Sequence, residues 1–123
     1  MSIAAAATRR FAAGRSSPRH PNELDAMRIS RAIETRERYR YVQPTVQLVE
    51  NGYLVRSPCC SRKVDPEGGE IDVAWLEWDE LRAEWTLLRK DHAAGCWLED
   101  SRYARLGELL MRLASDPART FWQ

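Results

Sequence analysis

The chain has 123 residues, 44% hydrophobic and 30% charged, with a net charge of +1. That suits one domain with a core and is short for two. No apolar run approaches the ~18–20 residues of a membrane span, and the first apolar stretch, Ile3 to Ala7, is shorter than a signal-peptide core.

The charge is divided unevenly. Residues 1–40 carry nine arginines against Glu23, Asp25, Glu34 and Glu37, a net of +5. Residues 41–123 carry ten Lys/Arg against fourteen Asp/Glu, a net of −4. The expected body is therefore mildly acidic and a poor match for nucleic-acid phosphates, whose affinity comes from Lys and Arg. Three cysteines are an odd number, and Cys59 and Cys60 are adjacent, which does not suit a secreted disulfide framework. A reducing, cytoplasmic setting fits better. Arginine outnumbers lysine seventeen to two, as in a GC-rich bacterial genome.

In chain order, residues 1–22 hold Arg9, Arg10, Arg15 and Arg19 and no acid, a composition that supports no core and predicts a disordered basic arm. Three readings compete for it: a plain tail or a leader upstream of a start at Met27, an organelle transit peptide, or a nucleic-acid-binding arm. A helix is expected over 23–40. Asn22 is its N-cap, Asp25 follows three residues on, and Ala26, Ile29 and Ile33 recur at helical spacing. The stripe is narrow and Arg28, Arg31, Arg36, Arg38 and Arg40 surround the axis, so loose docking of a solvated helix is expected.

The body, 41–123, reads as strands. Thr45 to Val49 and Tyr53 to Arg56 flank Asn51-Gly52, a strong hairpin signal because both residues tolerate positive φ. The second strand ends at Pro58, and residues 64–70 form a polar loop. Ile71 to Trp78 is the clearest strand, with Ile71, Val73 and Trp75 expected on one face. The chain turns over Asp79 to Ala83, returns through Trp85 to Arg89, and runs a last strand through Cys96-Trp97-Leu98. The spacing of Leu81, Trp85 and Leu88 also fits a helix, but Trp78 and Trp85 suit cross-strand neighbours. A C-terminal helix capped by Asp100 or Ser101 then presents Tyr103, Leu106, Leu109, Leu110 and Leu113 on one face and stops at Asp116-Pro117.

The predicted fold is α+β: an antiparallel meander of about five strands with the C-terminal helix on one face and a short N-terminal helix. The opposite face is left to solvent, to the N-terminal helix or to a second subunit.

Two sets of residues stand out. The first is aromatic: Trp75, Trp78, Trp85 and Trp97 on the sheet, with Phe121 and Trp122 in the tail, form a candidate surface for a protein partner or a homodimer. For the tail pair, anchoring to the domain surface is the first reading and a partner-binding motif the second. The second set is Cys59, Cys60, His92 and Cys96. In a meander the end of the second strand and the turn between the fourth and fifth share one edge, so three thiolates and an imidazole would suit tetrahedral zinc. Against this, structural zinc sites space their cysteines two to four apart, and adjacent side chains on extended backbone point oppositely. The plain reading is one packed cysteine and one surface thiol. A reactive thiol is the remaining reading, with Arg56, Arg62 and Lys63 available to lower its pKa.

Asp65, Glu67, Glu70, Asp72 and Asp91 fall near the same edge and read as a solvated rim. There is no phosphate-binding glycine motif, no calcium loop, and no hydrolase framework around Ser57, Ser61 and His92. The expectation is a non-enzymatic binding or accessory protein without a cofactor. A zinc or thiol protein, and a nucleic-acid binder acting through its arm, are the alternatives.

Overall fold

A computed structural model describes residues 19–36, 43–58 and 69–122. Five strands lie in sequence order in one antiparallel sheet: β1 (Thr45–Val49), β2 (Gly52–Pro58), β3 (Glu70–Asp79), β4 (Glu84–Asp91) and β5 (Cys96–Tyr103). Helices α1 (Glu23–Ile33) and α2 (Leu106–Ala114) complete the domain. The expected α+β meander is the observed fold.

Both helices pack on the same side of the sheet. Ile29 and Ile33 of α1, Leu109 and Leu113 of α2, and Tyr53, Val55, Leu76 and Leu87 of the sheet form one core. α1 is therefore firmly docked rather than loosely held, since Ile29 is fully buried and Ile33 nearly so. It ends at Ile33 instead of running on toward 40. The Arg36 guanidinium donates to the Ile33 carbonyl at 2.7 Å and stacks 4.7 Å over the Trp122 ring. A residue expected in solvent thus satisfies the open end of the helix from inside the core. The Asn22 cap is as expected, its Oδ1 accepting from the Asp25 backbone N–H at 2.8 Å.

β1 and β2 do form a hairpin, but Glu50-Asn51 make the turn, with Asn51 at φ 62°. Gly52 already belongs to β2, where it faces Glu77, and a Cβ there would run into the Leu76 carbonyl oxygen. Glycine is needed for that close approach of backbones, not for the turn itself.

Two irregularities correct the sequence reading. Between β2 and β3 the register slips at Val55/Arg56, leaving Val73 as an extra residue. The bulge reverses the phase of the strand. Ile71, Val73 and Ala74 are buried with the core, whereas Trp75 faces the other way. The second slip, at Leu87/Leu88, leaves Asp100 extra. β5 then continues to Tyr103, and α2 starts at Leu106 with Arg105 at its N-cap and no side-chain cap. Asp100 instead pairs with Arg112 of α2 at 3.3 Å, so neither Asp100 nor Ser101 caps the helix.

The C-terminal segment closes the core. Asp116 accepts backbone N–H groups from Thr120 at 2.9 Å, Phe121 at 2.7 Å and Trp122 at 2.9 Å, and Trp122 Nε1 donates to the Leu113 carbonyl at 2.8 Å. Phe121 and Trp122 are buried, at 1% and 2% exposure. They anchor the tail and offer no surface to a partner. Among the described residues no helix is long and apolar enough to cross a membrane.

Candidate functional site

With both helices on one side, the other side of the sheet carries no helix among the described residues. Strand alternation places Gln47 of β1, Leu54 and Arg56 of β2, Asp72, Trp75 and Glu77 of β3, Thr86, Leu88 and Lys90 of β4, and Trp97, Glu99 and Arg102 of β5 there. Leu54, Trp75 and Leu88 are direct cross-strand neighbours. Trp97 leans onto Trp75 edge-to-face, with ring centroids 5.8 Å apart. An apolar stripe thus crosses four strands, its members only partly buried. The Trp75 indole Nε1 finds no acceptor among the described residues.

On one side of the stripe lies an ion network. Arg56 Nε is 3.1 Å from Asp72 Oδ1, Lys90 Nζ is 3.3 Å from Asp72 Oδ2, and Lys90 sits 4.9 Å over the Trp97 ring. These charges are paired with one another across three strands, which keeps the stripe's flank fixed. On the other side the face opens into a cleft of about 1180 Å³ lined by Glu77, Asp79, Thr86, Leu88, Glu99 and Arg102, which reaches round the end of the sheet to Arg19 and His20. It exceeds the usual range for small-molecule pockets and is richer in acids than bases.

Of the six aromatics singled out from sequence, Trp75 and Trp97 belong to this open face. Trp78 lies on the helix side near the strand ends, half-buried, its ring 5.1 Å from that of its cross-strand partner Trp85. Trp85 is buried in the core with Phe121 and Trp122, so these three leave the candidate surface.

The thiol and metal set divides. Cys59 and Cys60 lie outside the described residues. The register puts the end of β2 and the His92–Cys96 turn at the same end of the sheet, since Pro58 faces Glu70 at the start of β3 and Ala74 faces Arg89 near the end of β4. Asp91 shapes that turn, its Oδ1 accepting from the Ala94 N–H at 3.0 Å, with Gly95 at φ 71°. Cys96 is exposed and His92 half-buried. Burial lowers the His92 pKa, Lys90 adds to the effect, and Asp72 and Asp91 oppose it. Among the described residues no three His, Cys, Asp or Glu side chains are grouped to hold a metal.

One polar cluster falls where the sequence predicted only a disordered arm. The His20 imidazole packs 4.6 Å from Trp85 and 5.3 Å from Trp78, between centroids, with Nδ1 2.8 Å from the Tyr53 hydroxyl. The Asn22 N–H donates to the same hydroxyl at 3.0 Å. The Tyr53 hydroxyl thus links the imidazole to the backbone at the start of α1. Burial lowers the His20 pKa, and Asp25, 3.6 Å away, partly offsets this. His20 and Asn22 are thus part of the folded domain, ahead of Met27. A lone histidine in a basic arm carried no signal of this, because Tyr53, Trp78 and Trp85, against which it packs, are thirty or more residues downstream.

Residues 17–123 match the DUF3024 family, a domain of unknown function, and the chain belongs to that family. No curated protein and no solved structure matches it.

Proposed function

We propose that the chain is a cytoplasmic, non-enzymatic binding or accessory protein whose working surface is the open sheet face. Its occupant is a protein segment with an apolar or aromatic centre and basic flanks. The observation that supports this is the Leu54–Trp75–Leu88–Trp97 stripe, laid across four strands on the side that neither helix covers. Partly exposed tryptophans inside a charged rim have the composition of interface centres. Acids outnumber bases along the adjoining cleft; Glu99 is paired with Arg102 at 3.0 Å, and Glu77 and Asp79 set the sign of the partner's flank. The same acids repel phosphates, which weighs against nucleic acid on this face.

The test is site-specific photocrosslinking in cells from Thr86, on this face, with the exposed Met111 of α2, on the helix side, as control. A partner captured from Thr86 and not from Met111 is then purified. Its affinity is expected to fall at least ~10-fold with Trp97→Ala and to stay unchanged with Met111→Ala on α2. Equal capture at both positions, or affinity indifferent to Trp97→Ala, would overturn the reading.

A further inference from the structure

The two outer strands of the sheet are treated differently. β5 carries Glu99, Asp100 and Arg102, and the Asp100 bulge interrupts its ladder. Charges and bulges are the devices by which edge strands avoid pairing with other chains. β1 has none of them. Its sequence, Thr45-Val46-Gln47-Leu48-Val49, has no charge, no proline and no bulge against β2. Leu48 is 45% exposed, and α1, which packs against β1, exposes Leu24 and Met27. Among the described residues no strand lies on the outer side of β1.

We infer that a second copy of this chain occupies that edge. The two β1 strands pair antiparallel about a two-fold axis at Gln47 and join both sheets into one of ten strands. The register follows from the sequence of the strand. Residues directly opposite in an antiparallel pair share a face, so a pairing that keeps the helices of both copies on one side joins residues of like parity. Centring on Gln47 pairs all five residues: Thr45 with the partner's Val49, Val46 with the partner's Leu48, and Gln47 with the partner's Gln47. On the helix side Leu48 then meets an apolar valine. On the open side the two Gln47 amides meet as donor and acceptor. Shifting the centre to Val46 brings Pro44 into the ladder, where it has no N–H to give. Shifting it to Leu48 brings in the Asn51 turn. The uncharged strand suits its own copy, because a strand of one sign would repel itself at the axis. Glu50, the nearest charge, faces Pro44 of the other chain.

This inference is independent of the partner proposed for the open face, and its test is separate. Sedimentation of the full chain from about 1 μM to about 1 mM is expected to show a monomer–dimer equilibrium. Gln47→Lys and Gln47→Glu, each placing like charges together at the axis, are expected to weaken dimerisation at least ~10-fold with unchanged circular dichroism. An equimolar mixture of the two variants is expected to restore the dimer, whereas Trp97→Ala leaves it intact. A wild-type chain monomeric throughout, a dimer untouched by both Gln47 variants, or a mixture that stays monomeric would each overturn it.

Discussion

The Tyr53 hydroxyl, on a fully buried side chain, lies 2.8 Å from His20 Nδ1 and accepts the Asn22 backbone N–H at 3.0 Å. One phenol oxygen therefore joins the entry of α1 to the start of β2. Tyr53→Phe removes it, leaving the Asn22 backbone N–H without its acceptor and His20 Nδ1 with only the long 3.5 Å contact to the Asn22 amide. The expected loss is about 1–3 kcal/mol, read by urea denaturation. A loss well under 1 kcal/mol would mean that water or another group takes over both bonds.

Acid should weaken the fold through the histidines. Burial sets the folded-state pKa of both His20 and His92 below the ordinary 6.5. A depressed histidine contributes fully above its unfolded-state value, and that contribution declines as pH falls from about 6.5 through the lowered folded value. Stability measured from pH 8 to pH 5 should be flat and then fall. His20→Gln and His92→Gln should each shallow the decline. An unchanged slope in His20→Gln would show that other groups control the acid limb.

Asp116 holds three backbone N–H groups of the tail with one carboxylate. Asp116→Ala is expected to cost roughly 3 kcal/mol, because charged acceptors contribute more than neutral ones and the orphaned donors stay buried. Asp116→Asn, keeping one acceptor oxygen, should lose less. Equal and small losses in both would assign the tail's anchoring to Phe121 and Trp122 packing alone.

Two glycines should respond oppositely to alanine. At Gly52 the added methyl collides with the Leu76 backbone, and separating β2 from β3 is expected to cost about 1–3 kcal/mol. Gly107 sits in the first turn of α2 with open space around it, so Gly107→Ala should gain about 0.5–1 kcal/mol. Thermal melts of the two variants should fall on either side of the wild type.

The indoles should also separate. Trp75 Nε1 has no acceptor among the described residues, so Trp75→Phe discards an unsatisfied donor and should change stability by less than about 1 kcal/mol. Trp122→Phe strands the Leu113 carbonyl in the core and should cost about 1–3 kcal/mol. Similar losses in both would show that ring volume, not the N–H, decides.

Strand order and the Trp78–Trp85 pairing were legible because they follow from alternation and hairpin spacing between near neighbours. The two bulges were not. Nothing in Asp72-Val73-Ala74 marks Val73 as the extra residue, yet that slip moves Trp75 from the core to the open face. Asp100-Ser101 has the look of a helix cap, but pairing with β4 outweighs that local preference and carries β5 on to Tyr103. His20 and Arg36 were misplaced for the same reason. Their partners, Tyr53, Trp85 and Trp122, come from distant parts of the chain, and local composition reports only that arginine and histidine are polar. In the candidate site, Trp97 and Trp75 were identified by residue type, while Leu54 and Leu88 became visible only with the register.

Trp75 and Trp97 touch at the uncovered face, while Trp85 and Trp122 are sealed in the core. Excitation of this chain therefore samples a population of emitters near solvent and a dry one, with the half-buried Trp78 between them. Anything that settles on the open face would desolvate the first population and shift its emission to the blue, with the second serving as an internal reference. The domain is its own optical sensor for whatever occupies that face, and no dye needs to be attached to use it.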